Sequence, residues 1–173
     1  NVTSPMIYRR VDPVKGELNR PIEIVPPVFV NLSQNVFVFT DASPRTVSVL
    51  VKSATASKLT GPVRLVLPTG WKSTPAYVDV ALGRRGEEKR IDFQIFPGSG
   101  EGSFQMTAQM EVSGKVYDQA VQTISYDHIP FQTLLPKSKA SLARLDLRKE
   151  GKLIGYIAGA GDETPDALRN IGY

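Results

Sequence analysis

The stretch Ser103–Val112 alternates without a break. Phe104, Met106, Ala108, Met110 and Val112 share one parity, and Ser103, Gln105, Thr107, Gln109 and Glu111 share the other. Successive side chains of a strand point to opposite faces, so this pattern makes a strand with one dry side and one wet side. Val47, Val49 and Val51 alternate with Thr46, Ser48 and Lys52 in the same way, as do Ile91, Phe93 and Ile95 with Asp92 and Gln94. One-sided burial is the habit of antiparallel sheets packed face to face, not of parallel sheets covered on both sides.

The alternating segments recur. Strands are expected at Ile22–Val25, Val28–Leu32, Val36–Phe39, Thr46–Lys52, Val63–Leu67, Ala76–Leu82, Lys89–Phe96, Ser103–Val112 and Val116–Ser125, with turn residues between them. A spacing of about ten residues with turn signals is that of a sandwich or barrel. No helical period is found before residue 160. The expected fold is therefore mainly β: an immunoglobulin-like antiparallel β-sandwich over residues 22–127, with a small C-terminal β-hairpin and β-α appendage. Its core should hold Phe104, Met106, Met110, Val49, Val51, Ile91, Phe93 and Ile95.

The flanks differ in character. Residues 1–21 are punctuated by Pro5, Pro13, Gly16 and Pro21 and read as a connector, with only Met6-Ile7-Tyr8 suited to a short strand. Residues 128–140 carry two prolines and read as an extended linker, tacked to the sandwich by Phe131, Leu134 and Leu135. Within 141–173, Leu142–Leu147 is expected to pair with the apolar run Leu153–Ala158 through a turn at Lys149–Lys152. A run apolar on both faces resembles a strand covered on both sides. After the loop Gly159–Asp162, Thr164 is the expected N-cap and Pro165 the first residue of a short helix over Asp166–Ile171, stopped by Gly172. Leu168 and Ile171 would cover one face of that hairpin. The segment reads as the truncated opening of an α/β domain.

Composition narrows the chemistry. The 173 residues include no cysteine, which removes disulfides and thiolate metal sites. A length of this order suffices for a domain without covalent staples. No apolar run approaches the roughly 20 residues of a membrane helix. The formal charge of +4 raises nucleic acid as a partner. Yet the basic residues are interleaved with acids, as in Arg84-Arg85-Gly86-Glu87-Glu88-Lys89-Arg90, and form no stripe with aromatics, so no nucleic-acid partner is expected.

Candidate sites are few. His128 is the single histidine; beside Asp127 in an extended chain the two would point to opposite faces, and a surface linker role is simpler. Gly159 and Gly161 lie between a buried strand and a helix, where backbone amides can cradle an anion. The third glycine of a dinucleotide fingerprint is missing and Asp162 would repel phosphate, so a plain strand-to-helix turn competes with that reading. Asp162 and Glu163 form a carboxylate pair that is more simply a partner of the helix dipole. Trp71, the only tryptophan, suits either a sugar-stacking platform or the sandwich core. Asn1-Val-Thr and Asn31-Leu-Ser match glycosylation acceptors, a short pattern that chance often supplies.

Two stretches carry a resemblance. Leu67-Pro-Thr-Gly-Trp-Lys-Ser-Thr-Pro75 followed by Ile91-Asp-Phe-Gln-Ile-Phe-Pro97 resembles the immunoglobulin-like module of carbohydrate-active bacterial enzymes. Tyr126-Asp-His-Ile-Pro130, Ala143-Arg-Leu-Asp-Leu147, Ile154-Gly-Tyr-Ile157, Gly159-Ala-Gly-Asp162 and Leu168-Arg-Asn-Ile-Gly-Tyr173 belong to a second. Taken with Pro13-Val-Lys-Gly-Glu17 and Val36–Phe39, they resemble the region that follows the catalytic domain in large bacterial PIG-L/LmbE-type deacetylases. That family is similar to the N-acetylglucosaminyl-phosphatidylinositol de-N-acetylases. The resemblance implies a metal-dependent de-N-acetylase domain acting on N-acetylglucosamine-type substrates, then a sandwich, then an amidotransferase-like α/β domain. The family's histidine followed by Pro-Asp-Asp is absent here, so no catalytic, cofactor or metal residue carries over; zinc is implied only for the catalytic domain. The expected function is a non-catalytic accessory region of an exported hydrolase, partnered by the rest of its own polypeptide. A carbohydrate-binding module using Trp71 and exposed aromatics is the alternative, and a second copy of the chain is a further candidate to cover the C-terminal segment.

Overall fold

The computed structural model describes residues 6–14, 16–126, 128–129, 131–148, 150–151 and 153–173, with the backbone alone at Asn170. Strands β1 (Ile7–Asp12) and β2 (Gly16–Pro21) form an antiparallel hairpin. The connector expected there is thus a hairpin. Pro13 lies in its turn, where Asp12 Oδ1 accepts from the Val14 N–H at 2.9 Å. Its apolar residues stay exposed apart from the half-buried Leu18, Tyr8 and Val11 among them, so no dry parity marks these strands in the sequence. The expected strand Ile22–Val25 is not formed; Ile24 is 97% exposed and Pro26 and Pro27 follow, which lack the N–H a ladder needs.

The sandwich proper has two sheets. The strands are β3 (Val28–Leu32), β4 (Val36–Phe39), β5 (Arg45–Ser53), β6 (Leu59–Val66), β7 (Lys72–Thr74), β8 (Tyr77–Leu82), β9 (Glu88–Phe96), β10 (Gly102–Val112) and β11 (Lys115–Tyr117), followed by β12 (Gln122–Ile124), β13 (Gln132–Leu134) and β14 (Lys139–Arg144). One sheet runs β3-β5-β9-β7, and the other β4-β14-β10-β6-β8 with β11 paired to the end of β10. A turn with positive φ at both Ser113 and Gly114 (50° and 75°) joins β10 to β11, the backbone handedness that tight hairpins favour. The expected strand Val116–Ser125 is two pieces: β11 stays with β10, and β12 leaves to pair with β13 inside the expected linker.

The expected parities hold in the core. Val47, Val49, Val51, Phe93 and Ile95 of the first sheet are wholly buried and Ile91 nearly so, facing Met106, Ala108 and Met110 of the second. Phe104 is only partly buried, at the rim of the same cluster. Each large side chain taken from water here contributes about 1.5–3 kcal/mol. Within the second sheet, β6 lies close against β10 at Gly61, where a Cβ would lie 1.7 Å from the carbonyl oxygen of Glu111.

β14 overturns the expected C-terminal hairpin. It runs antiparallel to β10 and parallel to β4, with Ala140 and Leu142 in the core, so the expected boundary between residues 140 and 141 falls inside a sandwich strand. Both edges of β14 are occupied, and none is left for Leu153–Ala158. That run has no strand; Leu153 is 94% and Ile157 97% exposed. Lys149 and Lys152 of the expected turn lie outside the described residues. The helix α1 spans Thr164–Asn170 and approaches β4, with Leu168 and Ile171 half-buried. Beyond it the Tyr173 N–H donates to the Leu168 carbonyl at 3.0 Å, which closes the last turn.

Candidate functional site

Trp71 is set by the loop between β6 and β7, where its backbone N–H donates to the Pro68 carbonyl at 3.1 Å. The ring turns inward. It meets Phe39 edge-on at 4.9 Å between centroids and Phe104 at 5.6 Å, and only 6% of the residue is exposed. Gly98 closes over its rim: a Cβ there would stand 3.0 Å from Trp71 Cδ1. A sugar needs an open aromatic face, so the candidate stacking role of Trp71 falls away in favour of the core reading.

The loop at Gly159 and Gly161 is exposed, and the Asp162 carboxylate already draws on the Gly159 backbone and the helix start. Asp162 Oδ1 accepts from the Thr164 N–H at 2.9 Å, while Oδ2 accepts from the Tyr156 hydroxyl. Bonds from Thr164 first, and then from Tyr156 and the Gly159 backbone, hold the Asp162 carboxyl at about 2. The chain's own carboxylate takes the place of an external anion, which removes the candidate anion loop. Thr164 is the first helical residue and not the N-cap; Glu163 holds the cap position without a side-chain bond. Asp162 therefore tethers the helix start and is not half of an acid–base pair with Glu163.

His128 is exposed, its ring 5.8 Å from that of Tyr126; its neighbour Asp127 lies outside the described residues. Asn31, one of the glycosylation matches, has its amide engaged. Nδ2 donates to the Val121 carbonyl at 3.0 Å and Oδ1 accepts from the Val121 N–H at 3.2 Å. This pins the segment before β12 to β3. Asn1 lies outside the described residues.

Two polar features went unmarked in the sequence. On the outer face of the first sheet, Arg90 Nη2 donates to Ser48 Oγ at 2.7 Å, and Ser48 in turn donates to Asp92 at 2.5 Å. The Ser48 hydroxyl and then Arg90 hold the Asp92 carboxyl below its usual range. Ser48 and Arg90 border a cavity of about 650 Å³ with Leu32, Leu50 and Thr46. The signal was the wet parity of β5 and β9, but only the register brings Ser48 opposite Asp92. The second feature is a cavity of about 390 Å³ where the β3–β4 connection meets the segments before β12 and before β14. Its members come from three stretches far apart in sequence, which no local pattern joins.

Among the described residues, no group of three or more His, Cys, Asp and Glu side chains is placed to hold a metal ion. Among them, too, no helix is long and apolar enough to cross a membrane. No protein-family model matches the chain, and no curated protein matches it. Among solved structures it is similar to WR4, a C. elegans MSP family member, at 12% sequence identity and a TM-score of 0.36, over 67% of this chain and 97% of that one.

Proposed function

We propose that this chain is a non-catalytic spacer and scaffolding region, a sandwich that carries docking segments for other parts of the same polypeptide. The observation that carries this reading is the contrast between the sandwich and the stretch after it. The sandwich closes around a continuous apolar core, and its exposed apolar side chains stand at 57% or less, whereas Leu153 and Ile157 stand 94% and 97% exposed with no strand partner. Contiguous exposed apolar residues mark a surface that another protein part covers. The sequence resemblance supplies the context: an accessory region of an exported PIG-L/LmbE-type metal-dependent de-N-acetylase acting on N-acetylglucosamine-type substrates, with zinc held by the catalytic domain.

Hydrogen exchange on the purified chain, paired with metal analysis and a deacetylase assay, tests the proposal. Amides at residues 153–158 should exchange at the rate of an unstructured peptide, and slow when a PIG-L/LmbE-type catalytic domain is joined to the chain. The chain alone should hold no stoichiometric zinc and release no acetate from N-acetylglucosamine substrates. One tightly held zinc per chain, or turnover by the chain alone, would refute it. Protection of residues 153–158 in the isolated chain, with a dimeric mass by light scattering, would assign the segment to self-association instead.

A further inference from the structure

Of the four strands that end the two sandwich sheets, three are shielded. β7 has only three residues, and β4 has four with α1 against it. The outer edge of β3 is taken by the segment before β12, where the Val30 N–H donates to the Gln119 carbonyl at 2.9 Å. β8 is different. It runs six residues, pairs with β6 without a bulge, and carries neither lysine nor proline, the residues that blunt such an edge.

Pro62 decides which backbone groups of β8 face outward. In an antiparallel ladder, pairs that exchange hydrogen bonds alternate with pairs that do not. Pro62 stands opposite Asp79 and has no N–H, so theirs is a pair of the second kind. By alternation Val78, Val80 and Leu82 bond to β6, while Tyr77, Asp79 and Ala81 turn their N–H and C=O groups away from it. Those groups have no partner among the described residues.

The edge also fits itself. A second β8 laid antiparallel about a two-fold axis must match outward-bonding residues to outward-bonding residues. An axis through Asp79 sets the two carboxylates directly opposite, a like-charge pair that destabilises. Axes through Val78 or Ala81 shorten the paired stretch. An axis through Val80 keeps the length and removes the conflict. It sets Val80 against Val80 and Val78 against Leu82 on the inward face, and Asp79 against Ala81 on the exposed face. Tyr77, 57% exposed, then lies across from Gly83, the pairing in which an aromatic ring covers a glycine at a sheet edge.

We propose that two copies of this chain join antiparallel through β8, with Val80 on the two-fold axis, into one continuous sheet. The contact is isologous, each β8 giving and receiving the same bonds. A single ladder seam lies at the small end of protein interfaces, so the dimer forms at concentrations on the order of 0.1 mM. It goes beyond the spacer reading and leaves residues 153–158 free.

Sedimentation equilibrium of the full chain over about 0.01–1 mM should give a mass rising from one chain towards two. Amide exchange at Tyr77, Asp79 and Ala81 should slow with concentration, while residues 153–158 stay fast. Ala81 and Asp79 are both exposed, so a change at Ala81 leaves the core alone, and the circular dichroism of each variant should match wild type. Ala81→Lys sets a cation against the partner's Asp79 and should tighten the dimer several-fold; Ala81→Asp sets like charges opposite and should weaken it several-fold. A chain that stays monomeric to about 1 mM overturns the proposal. So does a dimer whose protection falls on residues 153–158 and spares Tyr77, Asp79 and Ala81, or one that the two Ala81 variants shift in the same direction or leave unmoved.

Discussion

Replacing Gly61 with alanine adds a single carbon where β6 lies against β10 in the second sheet. That carbon would lie 1.7 Å from the Glu111 carbonyl oxygen and 3.0 Å from the carbonyl carbon. Carbon and carbonyl oxygen ordinarily stay about 3.3–3.6 Å apart, so one backbone must retreat by about 1.6 Å. Both contacting atoms are main chain, and no rotamer change relieves the clash. β6 is held to β10 through the pairs Val63↔Met110 to Val66↔Thr107 and to β8 on its other side, so a retreat from one neighbour strains the other. Overpacking of this kind costs about 1–3 kcal/mol, and losing two ladder bonds about 1 kcal/mol each, for a total of about 3–5 kcal/mol. Urea denaturation compared with wild type measures it directly. The control is Gly100→Ala, where nothing lies within 4 Å of the added carbon and φ is not left-handed. There the variant should gain about 0.4–1 kcal/mol through the unfolded chain. A Gly61→Ala protein within about 1 kcal/mol of wild type would refute the reasoning, because the sheet could not then be as close as described.

Trp71→Ala should cost about 3–5 kcal/mol by denaturant melt, and the native emission of this single tryptophan should be blue-shifted until the protein unfolds; a cost under about 1 kcal/mol would put the ring at the surface. Asp162 titrates at about 2 in the folded chain, below the roughly 3.9 of an unfolded aspartate, so the order it lends the loop is complete above about pH 4 and is lost as pH falls through about 2. NMR titration of its carboxyl carbon reads this, and a midpoint near 3.9 would show that Thr164 and Tyr156 do not hold it.

The parts of the fold legible in the sequence are those whose signal is local. β3 and β4 fall on their expected bounds, and Val47, Phe93 and Met106 face inward because parity along one strand decides burial without reference to its neighbours. The hairpin of β1 and β2 was illegible because both of its faces stay wet, and Pro13 suggested a break in what is in fact its turn. The run Leu153–Ala158 misled in the opposite sense: its apolar composition records a need for cover and names no partner, and β14 was already committed on both edges. The candidate sites followed the same rule. Trp71 was compatible with core or platform until Phe39 and Gly98 closed around it. The bond from Ser48 to Asp92 carried no mark at all, since only the register of β5 against β9 brings the two together.

The place of β14 between β10 and β4 bears on how the molecule is made. Arg144 reaches back 105 positions to the carbonyl of Phe39, and β4 has no other strand beside it in its sheet. During vectorial synthesis, then, the first sheet can assemble as soon as β9 has emerged, but β4 must wait, its Phe37 and Phe39 uncovered, until residue 144 clears the exit tunnel. At 5–20 residues per second that delay is on the order of several seconds, long enough for a half-closed sandwich of apolar side chains to meet other nascent chains. Such non-local closure also slows refolding from denaturant, since the loop entropy is spent before the contact returns it.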